Sequence, residues 1–234
     1  MNRTVATFIQ ARMTSTRVPG KALRPIAGTP MLGYVIERAQ RVQATDGRVL
    51  VTTSYDVEDD AIVDYCASVN VPVYRGRRDD VARRMVAAAD LHDVDIVVRV
   101  SGDSPLIDQS IIDNAVRVFR DGGVDLVTNV MPRSFPVGMS VEVISREALT
   151  WALRRMSSDD HHEHVTKLFY EQPELIRIAN IANDTDLSQL RLTIDYPEDI
   201  ARIESVFAAM TQPHWTYTMA DVLALAPQLT TAAR

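Results

Sequence analysis

The chain has 234 residues, 46% of them hydrophobic and 24% charged, an ordinary globular composition long enough for one full core. A net charge of −6 and a pI near 5.4 exclude nucleic acid as the main partner, because the basic footprint is missing. They permit a mononucleotide, which needs only a local cluster of cations. One cysteine, Cys66, excludes an internal disulfide. With no signal-peptide pattern and no apolar run near the ~18 residues of a membrane span, the expected location is the cytoplasm, away from membranes.

In chain order, strands are predicted at 4–10, 48–53, 72–75, 95–100, 125–129 and 140–145, with amphipathic helices at 31–43, 58–69, 81–91, 109–121 and 146–156. Val5 to Ile9 and Ile96 to Val98 are continuous apolar runs, the mark of a sheet covered on both faces. Alternating strands and helices with short connections predict an α/β fold with a mostly parallel, doubly wound sheet and ligands beyond the carboxyl ends of the strands. After residue 130 the pattern loosens. Pro132, Pro136 and Gly138 make 131–138 a loop, 159–171 reads as a helix, and 176–181 and 189–194 read as strands. Pro197 opens another helix and 219–225 forms the last one. The whole chain, 1–234, reads as a single domain, with 131–175 as a small excursion.

The loop leaving the first strand is the most informative stretch. Arg12, Arg17 and Lys21 are interleaved with small or hydroxylated residues, and Pro19-Gly20 makes a tight bend. Such a loop at a strand end presents amides and cations to one point, where a polyphosphate fits; the plainer alternative is a solvated basic loop. It is not a P-loop, since Ser15 and Ala22 stand where that motif needs Gly and Ser or Thr. The dinucleotide fingerprint is absent from the chain.

Asp103 follows a buried strand and the turn at Ser101-Gly102, so it fits either a local turn acceptor or a ligand for Mg²⁺. Asp108 reads as an N-cap for the helix after it. Asp195 follows Leu190–Ile194 and precedes Tyr196-Pro197; it fits a second metal carboxylate or a helix cap. Arg75 ends a strand and is the member of its charged loop best placed to face a ligand. Arg99, a cation within an apolar strand, needs a carboxylate or phosphate partner, for which Asp103 or Asp195 would serve. His161-His162-Glu163-His164 lacks the spacing of a zinc helix, because neighbouring helical side chains diverge by about 100°. Glu163 or His164 contacting a polar substrate fits better. His92 and His214 show no pattern and read as surface residues.

Six segments carry a resemblance. They are Gln10-Ala-Arg-Met-x-Ser-x-Arg-x-Pro-Gly-Lys21, Val71-Pro-Val-Tyr-Arg-Gly76, Gly102-Asp-Ser-Pro-Leu-Ile-Asp108, Val141-Glu-Val143, Glu163-His-Val-Thr166 and Leu192-Thr-Ile-Asp-Tyr-Pro-Glu-Asp199. In this order the chain resembles the cytidylyltransferases that activate sugar acids, especially their SpsF-like polysaccharide-biosynthesis branch. The resemblance implies a Rossmann-like sheet of the nucleotide-diphospho-sugar transferase type, CMP transfer from CTP to an acidic acceptor, and a homodimer.

It also implies that Arg12 and Lys21 act on the triphosphate; Gln10, Ala11, Arg17, Arg75, Ser101 and Gly102, by their place at or beside strand ends, are expected in the same nucleotide site. Asp103 and Asp195 would hold Mg²⁺, and Arg99, Glu142, Glu163 and His164 would face the acceptor. Residues 131–175 would bind acceptor and join the dimer. One departure stands out: related sequences tend to carry Leu-Asp where this chain has Met139-Ser140. The competing expectations are a nucleotide-sugar-dependent glycosyltransferase, whose Asp-x-Asp would have to be 93–95 or 184–186, and a non-catalytic nucleotide-binding regulator.

Overall fold

Strand β1 (Val5–Gln10) alternates between two cores, with Val5 and Ile9 in one and Ala6 and Phe8 in the other. Burial of both faces is what its continuous apolar run requires. The computed structural model describes residues 3–226 of the chain. After β1 come a two-residue hairpin, β2 (Pro25–Ile26) and β3 (Thr29–Pro30), turning at Ala27-Gly28 with both φ positive, and helix α1 (Met31–Ala39). Next in order are β4 (Val49–Ser54), α2 (Asp60–Ser68), β5 (Val73–Gly76), α3 (Val81–Leu91), β6 (Ile96–Ser101), α4 (Gln109–Arg120) and β7 (Leu126–Thr128). The remainder is β8 (Glu142–Ser145), α5 (Arg146–Leu153), α6 (Asp159–Glu163), α7 (Lys167–Glu171), β9 (Ile178–Asn180), α8 (Pro197–Ala209) and α9 (Met219–Leu225).

Among the described residues the main sheet has seven strands in the order β5-β4-β1-β6-β8-β7-β9. The β1–β4, β4–β5, β1–β6 and β7–β9 pairs are parallel, and β8 alone runs against its neighbours β6 and β7. The mostly parallel, doubly wound sheet is therefore as expected. α1, α2, α4, α8 and α9 pack on one face, and α3, α5 and α7 on the other. Residues 131–175 contribute β8 and α5 to these layers as well as α6 and α7. No helix among the described residues is long and apolar enough to cross a membrane.

Helix ends follow local chemistry. The Asp108 carboxylate accepts the Ser110 amide at 2.8 Å and caps α4 as expected, and it also takes the Met219 amide at 2.6 Å, tying α9 to α4. Several expectations are corrected. The helix expected over 159–171 breaks into α6 and α7 because His164 leaves the helical region and Val165 turns fully into the core. The segment 189–194 is not a strand. Leu192 and Ile194 are buried as their alternation demands, but only one bridge forms, between Arg191 and Val137 of the neighbouring loop. His214 is not a surface residue: its ring meets Tyr34 edge-on at 4.8 Å and Nε2 lies 2.9 Å from Glu37. His92 is exposed.

Strand β8 begins two residues later than expected because Asn129 replaces the first ladder rung. Its side chain donates to the Met139 carbonyl at 2.6 Å and accepts from the Val141 amide at 2.9 Å. Cys66 is fully buried, and that burial pushes its thiol up to about 12, so it is inert packing.

Candidate functional site

The chain leaves β1 toward β4 and β5 on one side, then returns to place β6 on the other. The carboxyl ends of β1 and β6 thus flank the point where strand order reverses, and a cavity of about 290 Å³ opens there. Its floor is Gln10, Ala11, Ser101 and Gly102. Gly102 donates its amide to the Gln10 carbonyl at 2.9 Å, and a Cβ at this position would sit 2.9 Å from that same oxygen. The turn can therefore close only with glycine, and it delivers Asp103 into the cavity.

The wall opposite is the cationic loop. It is organised around Met13, whose carbonyl accepts from the amides of Ser15 (2.9 Å) and Gly20 (3.0 Å). Gly20 has φ +71, which permits the bend before Lys21, and Val18 anchors the second half of the loop in the core. Among the described residues the amides of Arg12, Thr14, Thr16 and Arg17 donate to no protein acceptor. All four of these residues line the cavity, so a stretch with unpaired amides borders it together with the cations.

The chemical centre is Lys21. Its ammonium donates to Asp103 Oδ2 at 3.0 Å, to Asp195 Oδ1 at 3.2 Å and to the Ile194 carbonyl at 2.8 Å. Asp195 also receives Thr193 Oγ1 at 2.8 Å, Arg191 at 2.9 Å and Arg17 at 3.3 Å. Burial would raise this carboxyl, but the Thr193 hydrogen bond and the Lys21 charge outweigh it and hold it below the ordinary range. Asp195 is not the cap of α8. The N-cap is Tyr196, and Asp199 in the helix's first turn reaches back with a carboxylate that takes the amides of Asp195 and Tyr196, each at 2.9 Å.

Two carboxylates from distant chain segments thus converge on one cation. They offer hard oxygen donors and leave room for water and phosphate oxygens, which is the donor set Mg²⁺ accepts. Among the described residues no group of three or more His, Cys, Asp and Glu converges. The histidines diverge instead: His161 pairs with Glu171 at 2.7 Å and His162 with Asp80 at 2.8 Å, while His164 lines the cavity.

The other expected residues separate into two groups. Arg12 lines the cavity 3.6 Å from Glu163, which lines it too. Arg99 also lines it, but its partners are Glu142 at 2.5 Å and Gln10 at 3.2 Å rather than Asp103 or Asp195. Glu142 lies behind Arg99, buried, and accepts the Tyr170 hydroxyl; burial and the adjacent carboxylate push that phenol well up. Arg75 does not reach the cavity. Its guanidinium turns away to the carbonyls of Ser54 (2.8 Å) and Asp56 (3.0 Å) and to Asp60 at 2.5 Å.

Sequence reasoning missed two residues. Arg84, 4% exposed, lines the cavity from α3; its Nη1 donates to the Arg77 carbonyl at 3.1 Å and its Nε has no partner. Burial lowers it to about 10, with Asp59 opposing the shift and Arg12 adding to it. A charge on the apolar stripe of α3, between Val81 and Ala88, was the available signal. The second residue is Asp59, fully buried behind the loop.

The sequence model of a family described as cytidylyltransferase matches residues 6–222. The chain is 30% identical to the spore coat polysaccharide biosynthesis protein SpsF of Bacillus subtilis, over 86% of this chain and 85% of that one. It is 35% identical to a 3-deoxy-manno-octulosonate cytidylyltransferase of Mesorhizobium japonicum, over 61% of this chain and 55% of that protein. A solved cytidylyltransferase from Leptospira borgpetersenii superimposes with a TM-score of 0.92 at 29% identity, covering 100% of this chain and 99% of the other.

Proposed function

This chain belongs to the cytidylyltransferase family and is a nucleotidyltransferase, and on that premise we propose that it moves CMP from CTP to an acidic sugar or similar acceptor in polysaccharide or glycoconjugate synthesis. The acceptor oxygen attacks the α-phosphorus, a new O–P bond forms, the bond to the β-phosphate oxygen breaks, and pyrophosphate leaves. Such a transfer needs placement and charge neutralisation more than covalent chemistry from the protein.

The observation that carries this reading is the placement of Lys21 between Asp103 and Asp195 at the edge of a loop with free amides. Arg12, Arg17 and Lys21 bind the triphosphate and neutralise the departing pyrophosphate, helped by the amides of Thr14 and Thr16. Asp103 and Asp195 would hold Mg²⁺, which would supply Lewis-acid stabilisation of charge on the phosphates. Lys21 turns from the two carboxylates toward the phosphates as nucleotide arrives. Arg99, oriented by Glu142, and the pair Glu163 and His164 face the acceptor. The 3-deoxy-manno-octulosonate enzyme supports a 2-keto acid as acceptor class, and SpsF supports the polysaccharide context.

The same reading takes the cytoplasm as compartment, in keeping with a chain whose one cysteine, Cys66, allows no internal disulfide. It takes a homodimer as the assembly, with 131–175 as its acceptor-binding and contact region.

The glycosyltransferase alternative finds no support in its acidic pairs. Asp95 sits at the amino end of β6 and accepts the Thr4 amide at 2.9 Å, away from the cavity, and Asp186 accepts the Ser188 amide at 2.9 Å. A pyrophosphate-release screen of the four NTPs against a panel of acidic sugars tests the proposal. Release with CTP and one acceptor is expected; sugar transfer from a preformed nucleotide sugar without such release overturns it.

A further inference from the structure

Asp59 is a fully buried carboxylate with no part in the scheme above. It accepts the Met13 amide at 2.7 Å, the Thr53 hydroxyl at 2.8 Å, the Ser54 amide at 3.0 Å and the Ser54 hydroxyl at 2.6 Å. Three of these donors come from the carboxyl end of β4 and the fourth from the cationic loop, 46 residues away in sequence. Burial would raise this acid, yet the four donors hold it below the ordinary carboxylate range. The group is therefore ionised and saturated where it sits.

We propose that Asp59 is a positioning residue for the phosphate loop: it fixes the Met13 amide so that the free amides beside it face the triphosphate. The inference deepens the proposed function and rests on it for the identity of the ligand. Three observations lead here. Met13 is the hub of the loop, since its carbonyl also receives Ser15 and Gly20. Its own N–H is taken out of play by Asp59, whereas those of Arg12, Thr14, Thr16 and Arg17 are left free. Without an acceptor at Met13 the loop can exchange which N–H groups point inward, and a preformed anion site becomes one that CTP must organise at a cost in affinity. Asp59 also places a negative charge near Arg84, which favours the charged form of that desolvated guanidinium.

Asp59→Asn keeps the shape but cannot serve both backbone N–H groups, because its NH₂ must face one of them. We expect the dissociation constant of CTP to rise about tenfold, the scale of one lost charged hydrogen bond. The KM for acceptor should be unchanged and the circular dichroism native. The double variant Thr53→Val with Ser54→Ala removes two hydroxyl donors on the β4 side and leaves both backbone amides paired. It should lower Tm yet leave CTP affinity within about twofold. Equal losses of Tm with native CTP affinity in both variants would reduce Asp59 to a packing role and overturn the proposal.

Amide hydrogen exchange on the wild-type enzyme supplies a test that survives misfolding of either variant. Without ligand, the Met13 amide should be protected like those of β4, while Thr14 and Thr16 exchange fast. An unprotected Met13 amide refutes the positioning role whatever the ligand is. Adding CTP should then slow Thr14 and Thr16; if only this second step fails, the fault lies with the assignment of CTP and not with Asp59.

Discussion

The Lys21 ammonium lies 3.0 Å from the Asp103 carboxylate across 82 residues of sequence. With Asp195 Oδ1 at 3.2 Å on its other side, it sits between the two carboxylates proposed above to hold Mg²⁺. The two negative charges are thus compensated within the chain itself.

Lys21→Met should remove that compensation. Pyrophosphate release is expected to fall by about two to three orders of magnitude, the scale seen when a transition-state charge donor is lost. Mn²⁺ alone, followed by electron paramagnetic resonance, should bind tighter than to wild type because its competitor is gone. Weaker Mn²⁺ binding in this variant would mean that Lys21 supports the carboxylates and does not compete for them.

Asp103→Asn and Asp195→Asn should each lower turnover by at least about a hundredfold, with the sheet intact. Asp195→Asn also strips an anion from among Lys21, Arg17 and Arg191, so its Tm should fall further than that of Asp103→Asn. Activity measurements and thermal melts on both variants check this; wild-type turnover in either one excludes that residue from the centre.

Asp59 and Asp195 both have folded-state acidities held below the ordinary carboxylate value. The stability they contribute is therefore fully present above that value, near pH 4, and is lost as pH falls through the lowered one. Melting temperature should drop on acidification below about pH 4, and the drop should be shallower in Asp59→Asn. A wild-type Tm flat from about pH 5 to about pH 2 would contradict the assignment.

Arg84 is a buried guanidinium with an unpartnered Nε beside the cavity. Arg84→Met should raise the KM for one of the two substrates about tenfold while leaving Tm equal or higher, since an unpaired buried charge is costly to fold around. Steady-state kinetics with each substrate varied will identify which one it touches. A lower Tm with both KM values unchanged would make Arg84 a structural residue.

Much of this was legible in the sequence where the signal is local. The unbroken apolar run of β1 required two covered faces, and it has them. The interleaved cations at 12, 17 and 21 marked the cavity wall, and Asp103 and Asp195 each stood at the end of an apolar run, one of which proved not to be a strand. Relationships spanning the chain were not legible. Asp59 looks like any acid opening a helix until the loop folds over it. Arg99 could have met several carboxylates, and it meets Glu142 because β8 pairs antiparallel with β6 in a register that sets residue 142 opposite residue 99. Arg75 sits at a strand end as expected, yet three nearby oxygens draw its side chain outward.

Asp195 and Arg17 meet across 178 positions of the chain. During synthesis the loop emerges from the ribosome early, and its second carboxylate partner arrives only when most of the protein has been made. The segments of β1, β4, β5 and β6 are all made while the loop's cations still lack that counter-charge. The second carboxylate therefore joins the centre late, and a shortened product ending before residue 195 would lack it together with α8 and α9, which cover one face of the sheet.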